Sequence, residues 1–194
     1  QPFRYLDERL GLLAYTPLDA QAMAAQVALA DPLAAQTLGL GACSSHGGYR
    51  LRPFPTRWAQ GQTLGFEVRV RPTVRGAQGE QDAFLHAVAQ AGGKEGGPVE
   101  RAAVYAQWLR EHLAVREGAP RQPWQGAVEV LDVQLSAFAR RKIVRRTQAS
   151  VDQGRKGQAI DGPDATLTGP LCIADPVAFA HLLARGVGRH RAFG

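Results

Sequence analysis

The sequence predicts an α+β protein, because stretches with the two-residue period of a strand and stretches with helical spacing follow one another along the chain. Between Thr63 and Arg71, leucine, phenylalanine and valine alternate with polar residues, which is typical of a half-buried strand. From Pro98 to Val115, apolar residues recur at helical spacing. Asp175 followed by Pro176 is a strong helix start, since aspartate caps the free N–H groups and proline suits the first turn.

The N-terminal part predicts a hairpin followed by helices. Two apolar segments at 3–6 and 10–15 flank a polar turn and are expected to pair as strands. Thr16 is placed to cap a helix that runs to about Ala30. After an interruption at Asp31-Pro32, the remaining predicted elements are a second helical piece reaching Leu38 and a short strand from Tyr49 to Phe54.

The rest of the chain predicts a second set of strands and helices. These are a strand at 63–71, helices at 82–91 and 98–115, a long strand or strand pair at 128–147, a loop at 151–162, a strand at 165–173 and a helix from 175 to 185. The order of all elements resembles two βαββαβ units, which is a tandem ferredoxin-like arrangement with boundaries at 1–58 and 59–194. The first unit lacks its opening strand and helix, and the second lacks its last strand. We therefore expect a piece of a longer protein.

Charge and cysteine usage narrow the class of partner. The 194 residues carry a formal net charge of +6, which favours a polyanion such as nucleic acid, although a basic charge can also serve solubility alone. Cys43 and Cys172 are far apart and show no paired-ligand spacing, so neither a disulfide framework nor a zinc site is expected, and a reducing cytoplasm fits best. Apolar runs are too short for a membrane span, and the first residues are not a signal peptide.

The most basic segment lies between residues 140 and 156. Its seven positive side chains, opposed within the segment only by Asp152, are Arg140, Arg141, Lys142, Arg145, Arg146, Arg155 and Lys156. On an extended strand, Arg140, Lys142 and Arg146 share one face, and Arg141 and Arg145 share the other. Such a strand can follow a phosphate backbone, each contact releasing counterions. The alternative is an edge strand whose charge prevents aggregation.

A second candidate site is the glycine-rich C-terminus. Glycine lets backbone N–H groups approach phosphate oxygens, and here basic or titratable residues are interleaved with it. The residues concerned are Gly186, Gly188, Arg189, His190 and Arg191. Glycine also simply ends helices, so the pattern is weak on its own. The segment is neither a Walker loop nor a dinucleotide-binding fingerprint.

The sequence assigns no catalytic residue. The five histidines are His46, His86, His112, His181 and His190. Three of them lie on predicted helices, no acid completes a triad near His46, and phosphate binding suits His190 better than proton transfer. Carboxylates are scattered without a two-metal pattern, so no metal or other cofactor is expected. Tyr49, Trp58 and Trp124 can stack on bases, although packing in the core is the commoner fate.

Three segments together resemble the CasE family, the endoribonucleases that process CRISPR RNA in type I-E Cascade. Residues 52–73 are similar to a stretch of the family that has a Pro-Phe pair, a glycine and then a strand ending in the letters "RanPt". Residues 99–113 are similar to its central helix, and residues 164–194 to its glycine-rich ending. The last segment is the most specific, because helix cap, helix length and glycine spacing all agree. The resemblance covers most of the chain from Arg52 onward.

The resemblance implies two tandem ferredoxin-like (RRM-like) domains that bind the stem-loop of a CRISPR repeat. It implies metal-independent cleavage at the 3′ base of the stem by attack of a ribose 2′-hydroxyl, with the mature CRISPR RNA (crRNA) retained in a Cascade-type complex. Residues 140–146 would grip the hairpin, Arg191 stands where a lysine is common, and Arg69, Arg71 and Arg75 would face the same RNA.

The family's catalytic histidine lies on a helix that would precede Gln1, so its role passes to no histidine of this sequence. Three alternatives follow: a subunit that binds crRNA without cutting it, a type IV processing enzyme of the same general fold, and a basic α+β protein unrelated to CRISPR.

Overall fold

The structure is a computed structural model that describes residues 3–7, 11–14, 16–40, 48–76, 79–116, 118, 120–146 and 157–187. The chain divides into two compact units, one within residues 1–55 and one within 56–192. Helices and strands occur together and the paired strands are antiparallel, which confirms the α+β class.

The first unit is a hairpin followed by two short helices. Its elements are β1 (Phe3–Asp7), β2 (Gly11–Ala14), α1 (Ala20–Ala28) and α2 (Pro32–Thr37). The predicted hairpin is confirmed, since β1 and β2 pair antiparallel. The predicted cap at Thr16 is wrong, because Asp19 accepts a hydrogen bond of 2.8 Å from the N–H of Ala22 and begins α1 three residues later.

The short strand predicted at 49–54 is also wrong, because these residues form no strand in the structure. Two prolines, Pro53 and Pro55, remove backbone donors that a strand ladder would need. The predicted break at Asp31-Pro32 is confirmed, because the Asp31 carboxylate accepts from the N–H of Leu33 at 2.9 Å and caps α2.

The second unit holds the larger sheet. Its elements in chain order are β3 (Thr63–Val70), β4 (Thr73–Gly76), β5 (Gly79–Asp82), α3 (Ala83–Gln90), α4 (Arg101–Leu113), β6 (Val128–Val130), β7 (Gln134–Arg146), β8 (Gly157–Ile173) and α5 (Pro176–Arg185). The long strand β8 lies in the centre, with β3 on one edge and both β6 and β7 on the other, all antiparallel to it. Strands β3 and β7 therefore run parallel to each other with β8 between them.

Two parts of this unit differ from the sequence prediction. Residues 157–162 were expected in a loop, because their glycines and the following Pro163 are typical of turns. They belong instead to β8, where they pair with β7. The hairpin of β4 and β5 was not predicted, since its strands are four residues each and mostly polar.

The helices cover one face of the sheet. Tyr105, Leu109 and Leu113 of α4 and Phe179 and Leu182 of α5 are buried, and they belong to one core with β8. The β8 residues in this core are Ala165, Leu167, Leu171 and Ile173. Along β3 the opposite face is exposed, which leaves one side of the sheet open for polar side chains. No helix in the described part of the chain is long and apolar enough to cross a membrane.

Candidate nucleic-acid interface

The basic strand predicted from the sequence is one arm of a two-stranded ribbon. Strand β3 pairs with β8 only as far as Ala165, whereas β7 continues to pair with β8 down to Gly157. Residues 139–146 and 157–164 therefore extend past β3 as a pair of strands, called the ribbon below. At about 3.4 Å per residue, eight paired residues span about 27 Å.

The ribbon sorts its basic residues onto two faces as predicted. Its register is regular beyond Ala137, so side chains alternate strictly from one face to the other. Arg140 and Lys142 fall on one face and Arg141 falls on the other, whereas the side chains of Arg145 and Arg146 lie outside the described part of the structure. The side chains of Arg140 and Lys142 are exposed. The ribbon thus offers positive charge to a ligand on either side.

Arg140 is held by a carboxylate from the neighbouring strand. Its Nη2 donates to Oδ2 of Asp161 at 2.9 Å, while the two side chains remain 64% and 53% exposed. An ion pair this exposed contributes little stability, of the order of 0–1 kcal/mol. Arg140 is therefore oriented by Asp161 and remains accessible to a phosphate.

At the root of the ribbon, Asp164 joins two arginines from different strands; we call these three residues the arginine cluster. Arg69 of β3 donates from Nε to Oδ1 of Asp164 at 2.7 Å and from Nη2 to Oδ2. Arg141 of β7 places its Nε 2.9 Å from the same Oδ2. Asp164 is 9% exposed, whereas the side chains of Arg69 and Arg141 are 61% and 60% exposed.

The electrostatics of the cluster follow from this geometry. The hydrogen bonds from Arg69, with the positive charges of Arg69, Arg141 and Arg71, hold the pKa of Asp164 below its ordinary value of 3.8. Two arginines surround one carboxylate, so the cluster carries a net charge of +1. The carboxylate holds one side of each guanidinium group. The remaining N–H groups of Arg69 and Arg141 face solvent on the open face of the sheet. A polyanion can reach them there.

The other predicted arginines of this region are placed differently. Arg75 is exposed on β4, with Glu80 opposite it in the β4–β5 ladder. Arg71 is only 8% exposed and is not a surface contact. Its Nε and Nη2 have no hydrogen-bond partner among the described residues. The resemblance implied that Arg69, Arg71 and Arg75 face the same RNA; Arg69 and Arg75 are exposed, whereas the burial of Arg71 argues against a direct contact from its side chain.

The C-terminal segment is described only at its start. Helix α5 ends at Gly186, which adopts a φ of 76° and donates its N–H to the carbonyl oxygen of Leu182 at 2.8 Å. Gly186 thus acts at least as a helix terminator. The other predicted residues of this segment, Gly188, Arg189, His190 and Arg191, lie outside the described residues, as do Arg155 and Lys156.

Two of the three aromatic residues considered for base stacking are packed against other side chains, and three of the five histidines lie on helices. Trp124 is buried and stacks on His112 with ring centroids 5.4 Å apart, and Trp58 packs edge-on against Phe179 at 5.1 Å. Packing therefore prevails over base stacking for both tryptophans, whereas Tyr49 is 37% exposed. His86 and His181 lie on α3 and α5, and His46 and His190 are outside the described residues.

No group of three or more His, Cys, Asp or Glu side chains within the described ranges could hold a metal ion. The arginine cluster was missed by sequence reasoning, because its members are brought together only by the register of three strands.

Comparison with known proteins agrees with the resemblance seen in the sequence. The profile of a family described as CRISPR associated protein matches residues 14–194. Three solved structures are similar to the chain. A structure of CRISPR endoribonuclease Cse3 bound to 19 nt RNA is 24% identical with a TM-score of 0.46, covering 75% of this chain and 59% of that one.

Thermus thermophilus Cse3 bound to an RNA representing a pre-cleavage complex is 21% identical, with a TM-score of 0.45 and coverage of 75% and 56%. A second form of Cse3 with 19 nt RNA is 20% identical, with a TM-score of 0.43 and coverage of 74% and 56%. This chain thus spans less than 60% of each of these chains. No curated protein matches the sequence. Because the family profile matches nearly the whole chain, the protein belongs to the CRISPR associated protein family.

Proposed function

We propose that this chain is part of a CasE-type endoribonuclease that binds the repeat stem-loop of precursor CRISPR RNA and processes it. The observation that carries the proposal is the arginine cluster at the root of a basic ribbon. Arg69 and Arg141 are oriented by Asp164, and the basic positions continue outward along β7. Basic positions that continue over about 27 Å of a two-stranded ribbon are suited to the backbone of a structured RNA rather than to a small anion.

The proposed fold is a tandem of ferredoxin-like domains with boundaries near 1–58 and 59–194. In the second unit, β8 lies between the parallel strands β3 and β7, and helices occupy the connection from β3 to β7. This strand order supports the proposal, because a split β-α-β arrangement is expected of a ferredoxin-like domain. The first unit, with its hairpin and helices, would belong to a second such domain.

The proposed reaction needs no metal ion. A ribose 2′-hydroxyl at the 3′ base of the stem attacks the adjacent phosphorus and loses its proton to a base. The bond to the 5′ oxygen of the next nucleotide breaks, and that oxygen takes up a proton. The products are a 2′,3′-cyclic phosphate and a 5′-hydroxyl. Guanidinium groups stabilise the charge that builds on the phosphate oxygens in the transition state. The enzyme then retains the crRNA together with the other subunits of a Cascade-type complex.

A second candidate function is crRNA binding without cleavage. His86, His112 and His181 are the histidines within the described residues, and none of them belongs to the ribbon or to the arginine cluster. The ribbon and the arginine cluster thus offer charge for binding, but among the described residues they contribute no imidazole for proton transfer. A non-catalytic subunit of a CRISPR effector complex would need only the positive charge that binds RNA.

Cleavage of a labelled repeat RNA in EDTA distinguishes the two functions. Two substrates are compared: the unmodified repeat RNA, and a copy that carries a 2′-deoxy nucleotide at the 3′ base of the stem. We expect a single cut in the first RNA and none in the second, because the deoxy sugar lacks the attacking oxygen. Tight binding without a cut would establish the non-catalytic function, and a cut that requires Mg²⁺ would contradict the mechanism. Equal affinity for duplex DNA and hairpin RNA would refute both.

The salt dependence of binding tests whether the ribbon is the interface. Replacing Arg140, Arg141 and Arg145 with alanine removes up to three phosphate contacts, so the slope of log K against log salt should fall by about 2–3. A charge-matched control removes exposed Arg57 and Arg116 and the partly buried Arg110, all in the second unit and outside the ribbon. An unchanged slope in the ribbon variant would exclude this strand from the interface.

A further inference from the structure

Residues 49–55, in the first unit, form an exposed segment without helix or strand; we call them the proline segment. Every one of its side chains is exposed. Pro53 and Pro55 fix their own φ at about −65°, and each disfavours a helical backbone at the residue before it. The segment therefore stays extended at those positions and loses less conformational entropy than a flexible loop when a ligand binds to it.

Three large apolar side chains of the proline segment are partly exposed to solvent. Tyr49 is 37% exposed, Leu51 39% and Phe54 50%. Single exposed apolar side chains are common on protein surfaces and need no explanation, but three within six residues form a local concentration of apolar surface. Tyrosine and phenylalanine also have flat ring faces on which another planar group can stack.

The same segment is positively charged, and no acidic residue is near it in the sequence. Arg50 and Arg52 are exposed, and neither forms an ion pair or a hydrogen bond with another described residue. No aspartate or glutamate occurs between Asp31 and Glu67. Because neither guanidinium group is engaged within the described part of the chain, both can bind an anion from outside.

The combination of arginines with aromatic side chains suits single-stranded nucleic acid better than a duplex or a free phosphate. In a stem, the bases stack on one another and their faces are inaccessible, so a duplex would use only the arginines. An unpaired strand also offers its base faces, and aromatic side chains interleaved with basic ones bind both its bases and its phosphates. An extended segment of seven residues spans at most about 25 Å, which is enough for a few nucleotides.

We propose that the proline segment binds unpaired nucleotides beside the repeat stem, with Tyr49 stacking on a base and Arg50 and Arg52 contacting phosphates. The identity of the RNA rests on the proposed function. The ribbon supplies basic groups for the stem, whereas the proline segment belongs to the other unit and binds the single strand. Since stacking and phosphate contacts do not read base edges, the segment distinguishes an unpaired strand from a duplex and has little preference for sequence.

The test compares two repeat hairpins, one with and one without single-stranded nucleotides beside the stem. The ratio of their affinities is the gain from the unpaired strand. We expect Tyr49→Ala to reduce this gain by about 5- to 150-fold, the range for the loss of one stacked base. Tyr49→Phe should keep the gain, because the ring remains. Leu33→Ala, which removes another exposed apolar side chain of the same unit, should also leave the gain unchanged.

Replacement of both Arg50 and Arg52 by glutamine tests the phosphate contacts. For the hairpin with the unpaired strand, the slope of log K against log salt should fall by about 1.4, since each single-strand phosphate contributes about 0.7. For the hairpin without that strand, the slope should not change. Equal reductions of the slope for the two RNAs would place these arginines on the stem and contradict the inference.

A second measurement does not depend on the hairpin. The ¹H–¹³C ring signals of Tyr49, assigned by their loss in Tyr49→Ala, should shift on titration with an RNA oligonucleotide that cannot pair with itself, and not with inorganic phosphate or polyglutamate. No response to the RNA, or an equal response to polyglutamate, overturns the inference. The absence of a gain in wild type, or a gain that Tyr49→Ala leaves unchanged, overturns it too. Failure to bind any hairpin refutes the proposed function and leaves the titration to decide on the proline segment.

Discussion

Substitution of Asp164 by asparagine separates the two roles of the arginine cluster. The carboxylate accepts from Arg69 at 2.7 Å and lies 2.9 Å from the Nε of Arg141, and it is 9% exposed. Because both arginine side chains are about 60% exposed, each ion pair is worth only about 0.5–1 kcal/mol. Asp164→Asn should therefore lower the free energy of unfolding by about 1–2 kcal/mol at pH 7, measured by urea denaturation.

Although the same substitution lowers stability, it should not weaken RNA binding at low salt. The net charge of the cluster rises from +1 to +2, while the two guanidinium groups lose the acceptor that orients them. One more unneutralised charge steepens the salt slope by about 0.9, which is about a 3.5-fold relative loss of affinity between 50 mM and 200 mM salt. We expect Asp164→Asn to bind hairpin RNA at least as tightly as wild type at 50 mM and more weakly at 200 mM.

The control and the pH dependence complete the test. Asp132→Asn removes an exposed carboxylate that lies outside the cluster, and it should not steepen the slope. The pKa of Asp164 is depressed in the folded state, chiefly by its hydrogen bonds with Arg69, so its stabilising contribution is present above pH 3.8 and is lost as the pH falls below that value. A variant that loses stability with no change in the salt slope would refute the assignment of Arg69 and Arg141 to the RNA interface.

Four further substitutions test the surrounding structure. Gly162→Ala should lower the free energy of unfolding by about 1–3 kcal/mol in urea, because the added Cβ would lie 2.5 Å from Nη2 of Arg71 and force the guanidinium to move; an unchanged stability would contradict that contact. Arg71→Met should raise the free energy of unfolding by about 1–3 kcal/mol in urea, because its Nε and Nη2 donors, which are buried without an acceptor among the described residues, are replaced by an apolar chain; a loss of stability would mean that Arg71 has a structural acceptor. Tyr105→Phe should cost about 1–3 kcal/mol in urea denaturation, since the buried hydroxyl donates to Asp82 at 2.9 Å; a neutral effect would argue against that bond. Asp175→Ala should lower the free energy of unfolding by about 1 kcal/mol in the same assay, because it removes the cap of α5. Asp175→Asn, which can still cap the helix, should have a smaller effect. Equal losses in both variants would assign the effect to charge rather than to capping.

Local patterns in the sequence predicted much of the fold. The alternation between Thr63 and Arg71 gave β3 to within one residue, and Asp175-Pro176 gave the start of α5, because both signals are contained in a few neighbouring residues. Residues 157–162 of β8 were assigned to a loop, since glycine and polar residues are typical of turns. Pairing with β7 overrides that local preference.

The candidate site was only partly predictable, because its geometry depends on contacts between distant residues. The basic residues of β7 and their alternation were evident from the sequence. Asp164, however, is 95 residues from Arg69, and no local pattern indicates that the two meet. The burial of Arg71 was likewise hidden, since it depends on the β4–β5 hairpin and on the absence of a side chain at Gly162.

The two halves of β8 have different partners, and this difference affects which changes in length the protein can accept during evolution. One half of the strand, from Ala165 onward, is fixed by the core, whereas the half in the ribbon pairs with β7 alone. Equal insertions in both arms, made two residues at a time, would lengthen the ribbon while every basic side chain kept its face. An insertion of one residue would exchange the two faces. Under the proposed function, even-numbered changes in the ribbon can match repeats with longer or shorter stems during evolution, and the core keeps its packing.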